Sequence, residues 1–322
     1  MVNIAAALVL VISTPSVLAA GAKIPKTRFG DADEAPAVAE RWAHDRGRSI
    51  WSVHVAPDGA CMAVATVQGL AVLEKTGKPV WERAWVNRWL SAEVGAIAVS
   101  PGCHWLAVAG SSGYRHVWFL GPGGRPYAHV PITHGTPTAL TINHRGDTLA
   151  VGTGTGHLLL MDARGTVRKD ITFGSNTFAH RLDGLKYSAD DALLLTTGGT
   201  APAGLLNADG VPLWTRDLGV WITVYPTDDW SSFLVVGEPG HGGNVGGDFA
   251  QLEVVTRAGK TTWKRLVDSP EIEMSPDGHS FVVATGYGLE KVETPEERKY
   301  YMERTIVDGA GRETAAPTQR LP

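Results

Sequence analysis

The sequence predicts an all-β chain in which one four-stranded unit recurs, and three observations carry that expectation: a strand pattern and two periodic markers. The strand pattern is clearest between Ser49 and Trp81. Ile50 to Ala56 alternates apolar and polar residues, Asp58-Gly59 suits a hairpin turn that tolerates positive φ, and Met62 to Val67 is a more buried run. Gln68-Gly69 turns the chain again, Leu70 to Leu73 forms a third strand and Thr76-Gly77-Lys78 a third turn. Pro79-Val80-Trp81 is the fourth strand and ends on a large aromatic.

The first marker is the turn after the first strand. It recurs as Ala56-Pro57-Asp58-Gly59, Ser100-Pro101-Gly102, Asn143-His144-Arg145-Gly146, Ser188-Ala189-Asp190-Asp191, Pro226-Thr227-Asp228-Asp229 and Ser275-Pro276-Asp277-Gly278, at intervals of 44, 43, 45, 38 and 49 residues. The second is a glycine before each outer strand: Gly77, Gly124, Gly165, Gly210, Gly259 and Gly311. A single such sheet cannot bury both its faces and must stack on its copies, and the interval is that of a propeller blade. The expected architecture is a six-bladed β-propeller of four-stranded antiparallel blades, one domain over residues 37–315.

Trp81, Trp214 and Trp263 close three of the units, where a flat side chain can fill the gap between neighbouring sheets. The last unit offers no evident fourth strand, because the residues from Glu313 to Pro322 are polar and contain proline. Ala37 to Trp42 stands at the spacing of a fourth strand before the first unit, so an N-terminal strand is expected to complete the last blade and close the ring. The rival reading makes Pro36 to Asp45 a short helix.

The run V-x-V-A-P-D-G-x-x-x-A-V-A-T-x-x-G-L-A-V-L-E-K-T-G-K-P-V-W, from Val53 to Trp81, resembles the quinoprotein-type (PQQ-like) and WD-repeat-like β-propellers of exported bacterial and archaeal proteins. The residues that carry the resemblance are turn and core positions. It therefore implies architecture and no chemistry; the Trp-Asp dipeptide of true WD repeats is absent and nothing matches a quinone site. No cofactor is expected.

Gly 38 and Pro 19 of 322 residues exceed average usage, as many tight turns require, and the net charge of −4 argues against nucleic acid as a partner. Residues 1–22 carry an apolar run, Ile4 to Ile12, ahead of Pro15 and small residues, and read as a signal peptide or an uncleaved N-terminal anchor. Residues 23–36 form a polar leader and 316–322 a polar tail. The expected location is periplasmic, extracellular or at the cell surface. Cys61 and Cys103 are the only cysteines, which excludes a cysteine-based zinc site. They stand at corresponding turns of adjacent units, either as a disulfide or as two separate small apolar side chains.

Insertions gather on one rim: Glu82 to Glu93, Ile171 to Arg181, Glu238 to Phe249 and Gly286 to Met302. That rim also collects Trp85, Arg88, Trp89, Tyr114, Arg115, His116, His134, His180, Arg181, Trp221, His241 and Tyr287. Aromatic, Arg and His side chains in such loops suit a protein or a small anionic or saccharide ligand. Glu238, His241 and Asp248 lie in a glycine-rich hairpin whose spacing fits no metal motif, so no metal is expected. Gly152-Thr-Gly-Thr-Gly156 opens no helix and is a hairpin turn, and Asp31-Ala-Asp33-Glu34 lacks the glycine of a calcium loop. No catalytic motif is present. Thr294-Pro295-Glu296-Glu297 has the composition of a capping box and predicts a short helix to about Arg304. The function these features favour is an exported binding scaffold. The alternatives are a propeller hydrolase, lyase or oxidoreductase with its site at the channel mouth, and a structural component of a cell-surface assembly.

Overall fold

Alternating and continuous apolar runs between tight turns leave the chain few options but antiparallel meanders. The computed structural model shows them over the described residues, 50–66, 69–84, 94–110, 115–173, 181–199, 201–238, 249–268, 270–289, 300–315 and 319–320. Strands β1 (Ile50–Val55), β2 (Cys61–Thr66), β3 (Gly69–Glu74) and β4 (Pro79–Ala84) pair in chain order as one antiparallel sheet. The next is β5 (Val94–Val99), β6 (Leu106–Gly110), β7 (His116–Leu120) and β8 (Pro126–Pro131), then β9 (Pro137–Ile142), β10 (Thr148–Thr153), β11 (His157–Asp162) and β12 (Val167–Thr172). Two further meanders follow, β13 (Leu182–Tyr187) to β14 (Leu193–Gly198), β15 (Ala203–Asn207) and β16 (Pro212–Arg216), and β17 (Val220–Pro226) to β18 (Ser232–Glu238), β19 (Phe249–Thr256) and β20 (Thr261–Asp268). One bridge, Gly198 to Ile222, joins them. The last sheet holds β21 (Glu271–Met274), β22 (Ser280–Leu289), β23 (Tyr300–Asp308), β24 (Glu313–Ala315) and β25 (Gln319–Arg320).

Successive sheets pack face to face. Leu70 and Val72 share a core with Leu106 and Val108; Phe119 with Leu149 and Met161; Leu158 and Leu160 with Leu182 and Leu194; Leu205 and Trp214 with Phe233; Leu252 and Trp263 with Phe281 and Val307. Strand β5 lies against β1 and β9, and β9 against β13, so the first strands run along one another. The outermost strands β4, β8 and β12 alternate exposed and half-buried residues, as a sheet with one solvated side does.

Both marker turns recur in the structure. The second-marker glycines all have φ between 68° and 83°, a region closed to most side chains. Gly124, Gly165, Gly210, Gly259 and Gly311 also rest on the fourth strand of the preceding sheet: a Cβ on Gly124 would stand 2.8 Å from the Trp81 ring, and one on Gly259 3.0 Å from Trp214. The fourth-strand side chains reciprocate. Arg83 donates to the carbonyl of Gly124, Lys169 to Asp209 at 2.6 Å, Arg216 to Gly259, and the Tyr127 hydroxyl to Ala163 at 2.7 Å. These bonds anchor four of the outer turns to the sheet before them.

Three expectations need correction. The fifth first-marker turn is Thr227–Trp230, one residue later than Pro226–Asp229: the Trp230 amide donates to the Thr227 carbonyl, and the Thr227 hydroxyl accepts from the Ser232 amide at 3.2 Å. Trp230 takes the turn's positive φ of 55° in place of glycine. The last sheet does have outer strands of its own, since β24 pairs with Thr305 to Val307 and β25 with Tyr301 and Met302. The turn from Asp308 to Arg312 delivers β24 to that edge by a short hairpin, at far less loop-closure entropy than residue 37 would need. Finally, Tyr300 to Arg304 is strand rather than helix. It pairs with Leu289 to Ala284, and ladder bonds to a neighbouring strand outweigh a local capping signal. Residues 1–49, which hold the signal, leader and closing-strand segments, lie outside the described residues, as do residues 290–299.

Candidate functional site

The meander topology puts the connections between sheets and the β2–β3 type connections at one end of the strands, here called the loop rim. The two marker turns are at the other end, the turn rim. On the turn rim, polar groups are used internally. Asp190, Asp229 and Asp277 have carboxyls held below the usual range, by the Ser188 hydroxyl and Ala192 amide, by the Ser231 amide and Thr227 hydroxyl, and by the Ser275 hydroxyl and His279 amide. Buried Asp191 accepts from the amides of His144 and Arg145 at 2.7 and 2.9 Å and bonds the His144 ring at 2.9 Å, linking two neighbouring turns. Asp190, Asp229 and Asp277 each accept twice through Oδ1 from their own turn, and Asp191 uses both oxygens, so these carboxylates hold turn geometry.

The loop rim differs. His134 stands in the β8–β9 connection, His157 opens β11 and Asp170 lies in β12. Register brings the last two together: His157 pairs with Thr172 and Leu159 with Asp170, so His157 and Asp170 are diagonal neighbours on one face. The Asp170 carboxylate bridges both rings, at 2.9 Å to His157 Nδ1 and 3.3 Å to His134 Nε2. The two imidazoles stack with centroids 4.2 Å apart and 14° between planes. The His157 side chain is 7% exposed, Asp170 36% and His134 45%, so the group opens to solvent on one side. Its frame is fixed by backbone chemistry. Thr155 Oγ1 donates to the His134 carbonyl at 2.8 Å, the Gly154 amide to the Thr136 carbonyl at 2.8 Å, and the His157 amide to Thr153 Oγ1 at 3.0 Å.

A second group forms around Gly199. Asp183 accepts from the Gly199 amide at 3.0 Å and from Arg181 Nε, while the Trp221 amide donates to the Gly199 carbonyl at 2.6 Å. Trp221 is 67% exposed and has φ 55°, a backbone state that a bulky residue occupies only at a cost of about 1–3 kcal/mol. Arg181 and Trp221, both expected from sequence, are thus brought to one place.

Of the other expected residues, Arg115 is exposed and its carbonyl accepts from Ile132, two residues before His134. His116 is half-buried and stacks on His129 with centroids 4.9 Å apart. Tyr287 belongs to β22 and pairs with Met302. Trp85, Arg88, Trp89, Tyr114, His180 and His241 lie outside the described residues. Sequence reasoning named His134 but missed His157 and Asp170, which read as ordinary strand residues until the β11–β12 register is known. Cys61 and Cys103 form a disulfide with Cα atoms 6.2 Å apart, joining the first two sheets.

The architecture and the ordered meanders are those of the β-propeller fold. No family model matches the chain, and no curated protein does. Among solved structures the chain is similar to the hydrazine synthase of Kuenenia stuttgartiensis, with 15% identity, a TM-score of 0.53, and 80% of this chain and 75% of that chain covered. It is similar also to the C-terminal WD40 domain of Sif2, with 11% identity, a TM-score of 0.56, and 82% and 68% covered. Identities this low establish the fold alone.

Proposed function

We propose that the chain is an exported six-bladed β-propeller that serves as a binding scaffold, and that its loop rim engages a protein or a small anionic or saccharide ligand. The exposed Trp221 at positive φ, set beside the Arg181–Asp183 pair, carries the reading. Strain at an exposed aromatic is retained where a surface is used, and Trp and Arg are the residues enriched at interfaces. Export is supported by the apolar run Ile4 to Ile12 and by the Cys61–Cys103 disulfide, which persists in oxidising compartments. Six blades are supported by the two turn markers. Strands β24 and β25 occupy the outer edge of β23, and in this reading the ring closes by packing the last sheet on the first.

The test is retention of surface and secreted components from the producing cell, and of anionic and neutral oligosaccharides, on the immobilised protein. Trp221→Ala with Arg115→Ala should abolish retention. Lys78→Ala with Arg164→Ala, both exposed on the turn rim, should preserve it. Retention lost only in the second pair moves the surface to the turn rim, and no retention by the wild-type chain refutes the scaffold reading.

A further inference from the structure

We propose that His134, His157 and Asp170 form a three-ligand site for a divalent transition-metal ion of the zinc class, with an open coordination position facing solvent on the loop rim. The donor atoms already converge, all lying within 4.8 Å of one another. The two edges to Asp170, 2.9 and 3.3 Å, lie just below and at the separation of about 3.3 Å between ligands of a tetrahedral ion with bonds of about 2.05 Å. Two imidazoles and one carboxylate are a borderline donor set. It suits zinc, copper, nickel or iron, and not calcium or magnesium, which require mostly oxygen.

The site is also built before any ion arrives. His157 is held by β11 and Asp170 by β12, and the loop bearing His134 is tied down by Thr155 and Gly154. Gly135 makes that tie possible: its φ is 84°, and a Cβ there would stand 2.8 Å from Thr155 Oγ1. Only the exposed His134 ring has to turn from its stack on His157 as an ion enters. Three protein ligands with solvent on the remaining side are the arrangement of zinc sites that accept a further ligand, whereas closed structural sites use four. The inference is independent of the scaffold reading, because metal affinity is measured without any partner.

The experiment uses the untagged full chain, disulfide intact, stripped with chelator and titrated with Zn2+ by calorimetry. One high-affinity Zn2+ per chain is expected, while Mg2+ and Ca2+ at equal concentration bind no tighter than in the millimolar range. His134→Ala and Asp170→Asn should each weaken zinc binding at least tenfold. Replacing Co2+ for Zn2+ should give the visible absorption of a low-coordinate ion, lost in both variants. His134 is exposed, so its variant keeps the native fold and the test survives even if a His157 variant does not. The proposal is overturned if the wild-type chain binds no Zn2+ at micromolar concentration, or if His134→Ala binds it with unchanged stoichiometry and affinity.

Discussion

Gly124→Ala tests the way neighbouring sheets grip each other. Gly124 has φ 68° and is buried under the preceding sheet, where an added Cβ would lie 2.8 Å from Trp81 Cζ3 and 3.1 Å from Cε3 and Cη2. Gly123, one residue earlier, has φ 69° but meets nothing within 4 Å. Both alanines therefore carry the left-handed backbone penalty of about 1–2 kcal/mol, and Gly124→Ala adds an overpacking cost of about 1–3 kcal/mol. Urea unfolding should place the Gly124→Ala midpoint below that of Gly123→Ala by an amount equivalent to at least about 1 kcal/mol. In a Trp81→Ala background the excess should vanish, because the ring it strikes is gone. Equal costs for the two glycines, or an excess that persists without Trp81, would refute the inter-sheet contact as its cause.

Replacing Cys61 and Cys103 by serine releases a link across a sequence separation of 42 residues, and chain entropy predicts a loss of about 4 kcal/mol in denaturant unfolding; a loss under about 1 kcal/mol contradicts this. Acid unfolding follows from the turn carboxylates. The folded-state values of Asp190, Asp229 and Asp277 lie below the unfolded ones, so their contribution is complete above about pH 4 and is lost as pH falls through the folded values. Burial also lowers the His54 imidazole, so the unfolded chain takes that proton first and a shallower loss should begin below about pH 6.5. His54→Gln should remove the shallow stage and leave the steep one; an unchanged profile rules out that assignment.

The repeat was legible in the sequence because its turns depend on local chemistry: a glycine at each outer turn answers a backbone requirement that few other residues meet. Legibility failed where another residue accepted the strain, as at Trp230, which hid the register of its turn. It failed again where local and long-range preferences opposed each other. Thr294 to Glu297 signals a helix start, yet the residues from Tyr300 onward belong to a strand paired with β22. The His134, His157 and Asp170 group was invisible for a different reason. Its members come from three segments, and only the β11–β12 register places Asp170 diagonally from His157. The bonds from Arg83, Lys169 and Arg216 recur at the repeat spacing, so they were present in the pattern, but a cation in an outer strand has many possible partners.

The proposed six-bladed ring requires the last sheet to pack against the first, and spin-label distances test that directly. Labels are placed on cysteines introduced at Pro57, Pro101, Ala189 and Pro276, all in first-marker turns, with the native disulfide retained. In a closed ring of six, Pro57 and Pro276 are neighbours, as Pro57 and Pro101 are, while Pro57 and Ala189 face each other across the channel. The account predicts a 57–276 distance close to the 57–101 distance and well below the 57–189 distance. A 57–276 distance longer than the 57–189 distance would mean an open arc and would contradict it.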